Sequence, residues 1–217
     1  RGKGDQAGAT HRRAGKIPPP AIGGAPAARM HARSRTKWRE RPPRDAGSLP
    51  FRQWLSDRGS LTERLQSSGR FAVVVLSQQS GMPTRDEARK LHLEPGRIAW
   101  IREVALYCDG RPMVFAHSVL PRRPRGPMTR WLPRQGSRSL GALLFAHPRF
   151  ARGSLEACRL DSRHPLFRPA VGALRLADAP PAALWARRSA FSFGRQSLLV
   201  TEVFSPAIAG LRSTHTA

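Results

Sequence analysis

The chain has little with which to build covalent or metal-bound structure. Its 217 residues include two cysteines, Cys108 and Cys158. That excludes a disulfide framework and a cysteine metal cluster, and fits a chain in the reducing cytoplasm. The seven histidines are scattered. No H-x-x-x-H or H-E-x-x-H spacing occurs, so no metal site is expected. A G-x-S-x-G elbow and a glycine-rich phosphate loop are both missing, which argues against a serine nucleophile and a nucleotide cofactor. No apolar run reaches the about 20 residues of a membrane helix. The basic N-terminal stretch has no apolar run behind it, unlike a secretory signal.

Acidic residues are also scarce, 14 against 38 basic ones, for a net charge of +24. Such a balance ordinarily points to nucleic acid. Here the basic residues are almost all arginine, the lysines being Lys3, Lys16, Lys37 and Lys90. They form no stripe interleaved with aromatics, and Arg, Ala, Pro and Gly share GC-rich codons. The charge is read as compositional, and nucleic acid is not expected as a partner.

Residues 1–46 are rich in Arg, Pro, Gly and Ala without periodicity, and read as a disordered basic arm. A folded domain is expected over 47–208, with a disordered tail at 209–217. Within the domain, Ser60 with Glu63 three residues later reads as a capping box opening a helix that carries Leu61 and Leu65. Residues 71–78 (FAVVVLSQ) read as a strand. Residues 84–91 read as a short helical turn with a solvated, mixed-charge face. Residues 137–145 read as a helix capped by Ser139 and ended before Pro148. Residues 155–160 read as a further strand, and 163–181 hold too many prolines to assign. Strands in hairpins with short helices between them imply an antiparallel α+β domain with helices packed on one face.

Two hairpins carry the chemistry. In residues 98–108 (IAWIREVALYC) a period of two puts Trp100, Arg102, Val104, Leu106 and Cys108 on one face. A buried arginine there needs a partner of opposite charge. Asp109-Gly110 is a strong two-residue turn, and on it opposed positions sum to 219, so Arg102 is expected to face His117. Two cationic groups do not satisfy each other, which makes a bound anion the natural third party. The second hairpin turns at Gly194-Arg195, where opposed positions sum to 389 and Arg187 faces Glu202. Glu202 shares its face with Leu198, Val200 and Phe204. By itself, that pair reads equally well as a structural ion pair. Two inward polar clusters in one sheet favour a site for a small anionic molecule. Free N–H groups at Ser60-Leu61 and Ser139-Leu140 suit a carboxylate, though every helix has such an end.

Four segments are also recognisable together: 54–65 (WLSDRGSLTERL), 100–121 (WIREVALYCDGRPMVFAHSVLP), 139–145 (SLGALLF) and 184–206 (LWARRSAFSFGRQSLLVTEVFSP). With W-x-R-E and L-x-T-E-x-F in this order, the chain resembles the chorismate lyase family, bacterial enzymes that form 4-hydroxybenzoate for ubiquinone. The resemblance implies about six antiparallel strands, with flap-like helical loops over a buried site. It implies loss of pyruvate from chorismate with aromatisation, without metal or organic cofactor. Arg102 would anchor the ring carboxylate and Glu202 would contact the ring hydroxyl, the two acting as the catalytic pair. Backbone groups at Leu61 and Leu140 would line the pocket. His117, standing where the family often has arginine, or Arg187 would stabilise the departing enolpyruvyl group. The expected partners are chorismate and 4-hydroxybenzoate, and the expected state is a cytoplasmic monomer. A second reading is a non-enzymatic sensor of a small aromatic acid, since effector-binding domains of some transcription regulators are similar to this fold. Residues 1–46 are too short and proline-rich for the DNA-binding helices such regulators carry. Conversion of chorismate to 4-hydroxybenzoate distinguishes the two readings.

Overall fold

Tight turns organise the sheet. Asp109, Gly110 and Gly194 all take positive φ, at 49°, 75° and 58°, the backbone that two-residue hairpins require. The structure, a computed structural model, describes residues 37–122, 128, 136, 138–147 and 149–211. Among them six strands form one sheet: β1 Phe71–Gly81, β2 Ala99–Cys108, β3 Arg111–Pro121, β4 Ala151–Asp161, β5 Ala183–Phe193 and β6 Gln196–Phe204. The order is β1-β2-β3-β6-β5-β4, and every neighbouring pair is antiparallel. The two hairpins therefore lie side by side, joined at the centre by β3 and β6. The short helices with described bounds are α1 Arg52–Leu55, α2 Leu61–Ser68, α3 Arg85–Lys90, α4 Leu140–Ala146 and α5 Phe167–Ala173. The fold is α+β, as expected.

The helices cover both faces of the sheet rather than one. On the Arg102 face, Trp54 and Leu55 of α1 and Leu61 and Leu65 of α2 pack on Val104, Ala116 and Phe204. Leu140 and Leu144 of α4 pack on Leu120, Phe191 and Leu198. On the other face, Phe167 and Ala170 of α5 pack on Phe115, Cys158 and Val203, and Leu91 after α3 packs on Ala99, Val119 and Leu199. The physical reason lies in the central strands: β3 is buried from Met113 to Pro121 without alternation. Each large apolar side chain among them contributes about 1.5–3 kcal/mol when fully buried, and only cover on both sides realises that.

Local signals behave unevenly. Ser60 does cap α2, its Oγ accepting from Glu63 N at 3.3 Å. The reciprocal capping box belongs to α3, where Thr84 Oγ1 accepts from Glu87 N and Glu87 Oε2 accepts from Thr84 N. The solvated face expected for α3 is carried by Arg85 and Arg89, which are exposed, while Glu87 on the other side is buried. The unassigned stretch 163–181 contains α5, with Pro169 in its first turn, where no intrahelical donor is lost.

Two expected boundaries move. Within residues 37–46, placed in the disordered arm, Arg39 pairs with the domain: its N donates to Ala157 O at 2.9 Å and Ala157 N to Arg39 O at 2.7 Å. This bridge covers the outer edge of β4, which ends the sheet, and edge strands without cover are open to pairing with other chains. At the other end, Pro206–Gly210 is a 3-10 helix with Ile208 buried, and Leu211 packs on the core, so the chain is ordered past 209. The rest of the arm (1–36), the tail from 212 and most of the Pro/Arg-rich 121–135 connection lie outside the described residues. Among the described residues, no helix is long and apolar enough to cross a membrane.

Candidate active site

The β5/β6 register is the one expected: Arg187 opposes Glu202, Ser189 opposes Val200 and Phe191 opposes Leu198. The β2/β3 register is not. It starts as expected, with Cys108 opposite Arg111 and Tyr107 opposite Pro112, but Leu106 then pairs with Val114. Met113 is the extra residue of a β-bulge. Pro112 has no N–H to give the ladder, and the bulge follows it directly. Beyond it, opposed positions sum to 220, and each side chain of β3 lies on the face opposite to expectation. Ser118 opposes Arg102, while His117 opposes Glu103. The expected Arg102–His117 pair is not formed.

The pocket face now reads as a row across the sheet. Arg102 stands on β2, Ala116 and Ser118 on β3, Val200 and Glu202 on β6, and Arg187 and Ser189 on β5. All line one cavity, roofed by Leu61 and Thr62 of α2 and by Leu140 and Gly141 of α4. The two roof helices meet closely. Thr62 Oγ1 lies 2.5 Å from Ser139 Oγ, and a Cβ on Gly141 would stand 2.6 Å from Thr62 Oγ1, so only glycine fits there.

Arg102 is 1% exposed. Its Nη2 donates to Gly136 O at 2.8 Å and Arg138 O at 3.1 Å, while Nε is buried without a hydrogen-bond partner among the described residues. No described carboxylate pairs with it, and burial pushes its pKa below the ordinary guanidinium value. Arg187, also 1% exposed, is held through two of its nitrogens: Nε donates to Glu202 Oε2 at 2.5 Å and Nη1 to Trp54 O and Asp57 O, each at 2.7 Å. Glu202 is thus held in place from one side. A second open depression, about 630 Å³, lies beside Arg97 and Arg122, but those side chains are exposed and need no ligand. The charge of Arg102, buried without a described carboxylate partner, marks the other cavity as the candidate site.

His117 belongs to a separate network on the opposite face. Its Nδ1 lies 3.0 Å from Glu103 Oε1 and its Nε2 3.3 Å from Glu87 Oε1. Burial alone would lower its pKa, but the Glu87 and Glu103 carboxylates outweigh that and push it up to about 10. Nearby, Asp86 accepts from Trp38 Nε1 and Arg188 Nη1, each at 2.9 Å. Arg188 also donates to Glu156, which Lys90 holds as well.

The family profile described as chorismate lyase matches residues 32–210. The chain is 48% identical over 180 residues to the probable chorismate pyruvate-lyase of Dechloromonas aromatica, covering 82% of this chain and 99% of that protein. It is 47% identical over 184 residues to the protein of the same name from Azoarcus sp., covering 84% and 97%.

The chain belongs to the chorismate lyase family.

It is therefore an enzyme of the lyase class. The crystal structure of PhnF from Mycobacterium smegmatis is also similar, with 16% identity, a TM-score of 0.48, and coverage of 69% of this chain and 65% of that one. In this chorismate lyase family member the structure brings Leu61, Arg102, Leu140, Arg187 and Glu202 to one cavity and leaves His117 outside it. A residue missed from sequence also lines the cavity: Arg152. It lies on β4, N-terminal to a bulge at Gly153 and Ser154, which together oppose Ala190. A glycine inside a strand is the one signal that could have disclosed the bulge.

Proposed function

We propose that this chain converts chorismate to 4-hydroxybenzoate and pyruvate, the aromatic-ring step of ubiquinone synthesis, in the cytoplasm. The observation that carries the reading is Arg102, a buried guanidinium without a carboxylate partner among the described residues, set two strands away from Glu202. Two inter-strand steps are about 10 Å of backbone, a span that the two side chains close around a single ring. In this reading Arg102 holds the ring carboxylate by a charge-assisted fork. Glu202, kept in place by Arg187, accepts a hydrogen bond from the ring hydroxyl.

The reaction breaks the ether C–O bond, and its electron pair leaves on the oxygen that becomes the pyruvate oxygen. Hydrogen leaves the ring carbon bearing the hydroxyl, and those C–H electrons complete the aromatic ring. A proton is delivered to the methylene carbon of the departing enolpyruvate. The balance needs no oxidant, reductant or cofactor. Aromatisation drives the step, so the protein positions the substrate and stabilises the developing charge. The cavity holds only about 40 Å³, room for a few waters rather than a ring. A ring compound therefore enters when the roof formed by α2 and α4 parts.

Incubating the purified chain with chorismate and following 4-hydroxybenzoate by absorbance tests the reading. Stoichiometric formation of 4-hydroxybenzoate and pyruvate is expected. Tight binding of aromatic acids without turnover would overturn it in favour of a sensor.

A further inference from the structure

Chorismate is a dianion, and the assignment above uses one of its carboxylates. Among the buried cations, Arg187 has its Nε and Nη1 committed to Glu202 and two backbone carbonyls, and His117 lies on the far face with two carboxylates of its own. Among the described residues, Arg152 is the guanidinium left at the cavity. Continued alternation from Leu155, which opposes Ser189, would send Arg152 to the opposite face. The bulge at Gly153 and Ser154 resets the register so that Arg152 opposes Phe191 on the pocket side. Bulges beside active sites commonly re-aim one side chain in this way. The close approach of Gly153 to β5, where a Cβ would sit 3.3 Å from Ala190 O, accommodates it.

Arg152 is held but not neutralised. Nε donates to Ser189 Oγ at 3.0 Å and Nη1 to Arg58 O at 2.5 Å. The Phe145 and Phe191 ring centroids lie 5.3 and 5.4 Å from its guanidinium carbon. No described carboxylate forms an ion pair with it. Burial and the Arg187 charge push its pKa down, against the opposing pull of Glu202 and Asp57. Four inter-strand steps, about 19 Å of backbone, separate β2 from β4, so Arg102 and Arg152 reach into the cavity from opposite sides with Glu202 between them.

We propose that Arg152 binds the second carboxylate of the substrate, on the departing enolpyruvyl group, a contact that the monoanionic phenol product cannot make. This rests on the function proposed above. It also gives the product one anchor fewer than the substrate.

The test compares the full-length parent with Arg152→Gln and Arg152→Lys, measuring kcat and KM for chorismate and, by calorimetry, Kd for 4-hydroxybenzoate. Arg152→Gln should lower kcat/KM at least about 30-fold, the low end for losing one partner of a buried charge contact. Its Kd for 4-hydroxybenzoate should stay within about threefold, which also shows an intact pocket. Arg152→Lys should recover part of the loss through KM. Unchanged kcat/KM in Arg152→Gln, or equal losses for chorismate and 4-hydroxybenzoate, overturns the inference. If Arg152→Gln does not fold, the same comparison on Arg152→Lys decides, with equal losses again overturning it. An inactive parent instead overturns the proposed function, and this inference with it.

Discussion

Arg187 Nε meets Glu202 Oε2 at 2.5 Å across the β5/β6 hairpin, while Nη1 of the same guanidinium holds Trp54 O and Asp57 O. The pair ties the sheet to the α1–α2 connection and also fixes a carboxylate in the cavity. These two roles separate in Glu202→Gln. The amide oxygen can still accept from Arg187, and Arg187 keeps both carbonyls, so the cost should be about 1 kcal/mol, or roughly 2–4 °C in Tm. Turnover of chorismate should fall about 100-fold or more with little change in 4-hydroxybenzoate affinity, the mark of an interaction stronger in the transition state. Retained turnover with a large drop in Tm would leave Glu202 as a structural partner alone.

Arg102 makes the opposite trade. Its charge is buried without a described carboxylate, an arrangement that favours anion binding over stability of the empty protein. Arg102→Met should weaken 4-hydroxybenzoate binding by about 2–5 kcal/mol, while the unliganded variant melts no lower than the parent. Arg102→Lys should also bind poorly, since lysine lacks the planar fork that reaches a ligand while holding Gly136 O and Arg138 O. Calorimetry and a thermal melt on each variant check both halves. Parent-like affinity in either would remove Arg102 from the anchor role.

What was legible in the sequence, and what was not, follows the bulges. The hairpin at Gly194-Arg195 has none, so counting outward from the turn places Arg187 opposite Glu202 correctly. The hairpin at Asp109-Gly110 has one at Met113, and the same count misplaces His117. The bulge at Gly153 and Ser154 hides Arg152 by the same one-residue slip. A period-two reading has no memory of an inserted residue, so a single bulge reverses every assignment beyond it. Arg102 escaped because its strand was judged by its own apolar neighbours rather than by a partner. The α3 network was missed for another reason. Its charges are satisfied by Trp38, Arg188 and His117, all distant in sequence, and local composition made the helix look solvated.

The contacts of Trp38 and Arg39 have a direct consequence. Trp38 donates to Asp86, its ring lies 4.1 Å from the Arg188 guanidinium carbon, and Arg39 covers the β4 edge. Removing residues 1–46 should cost about 2 kcal/mol or more from the half-buried tryptophan alone, about 4–8 °C in Tm, and should promote association through the bared edge. Removing residues 1–36 alone should leave Tm within about 2 °C, since their composition supports no core. Melting curves and light scattering on the two truncations decide this. Equal Tm values would mean that the Trp38 and Arg39 contacts contribute nothing.

His117 predicts a pH dependence whose sign separates a structural residue from a substrate ligand. Its folded pKa, about 10, lies above the unfolded value of about 6.5. Its contribution to stability is therefore complete below about pH 6.5 and is lost as pH rises toward 10. Glu87 behaves inversely. Burial would raise its pKa, but His117 lowers it further, so its contribution is present above the ordinary carboxylate range and is lost as pH falls through the lowered value. The parent should show a plateau in Tm at mildly acidic to neutral pH and a decline between pH 7 and 10. His117→Gln should melt lower at pH 7 and lack most of that decline. Because His117 sits on the face away from the cavity, the variant should keep its KM for chorismate within about threefold at pH 7. A KM raised about tenfold or more, with the parent's pH slope of stability intact, would return His117 to the substrate site. A flattened slope with KM unchanged assigns it to holding α3 on the sheet.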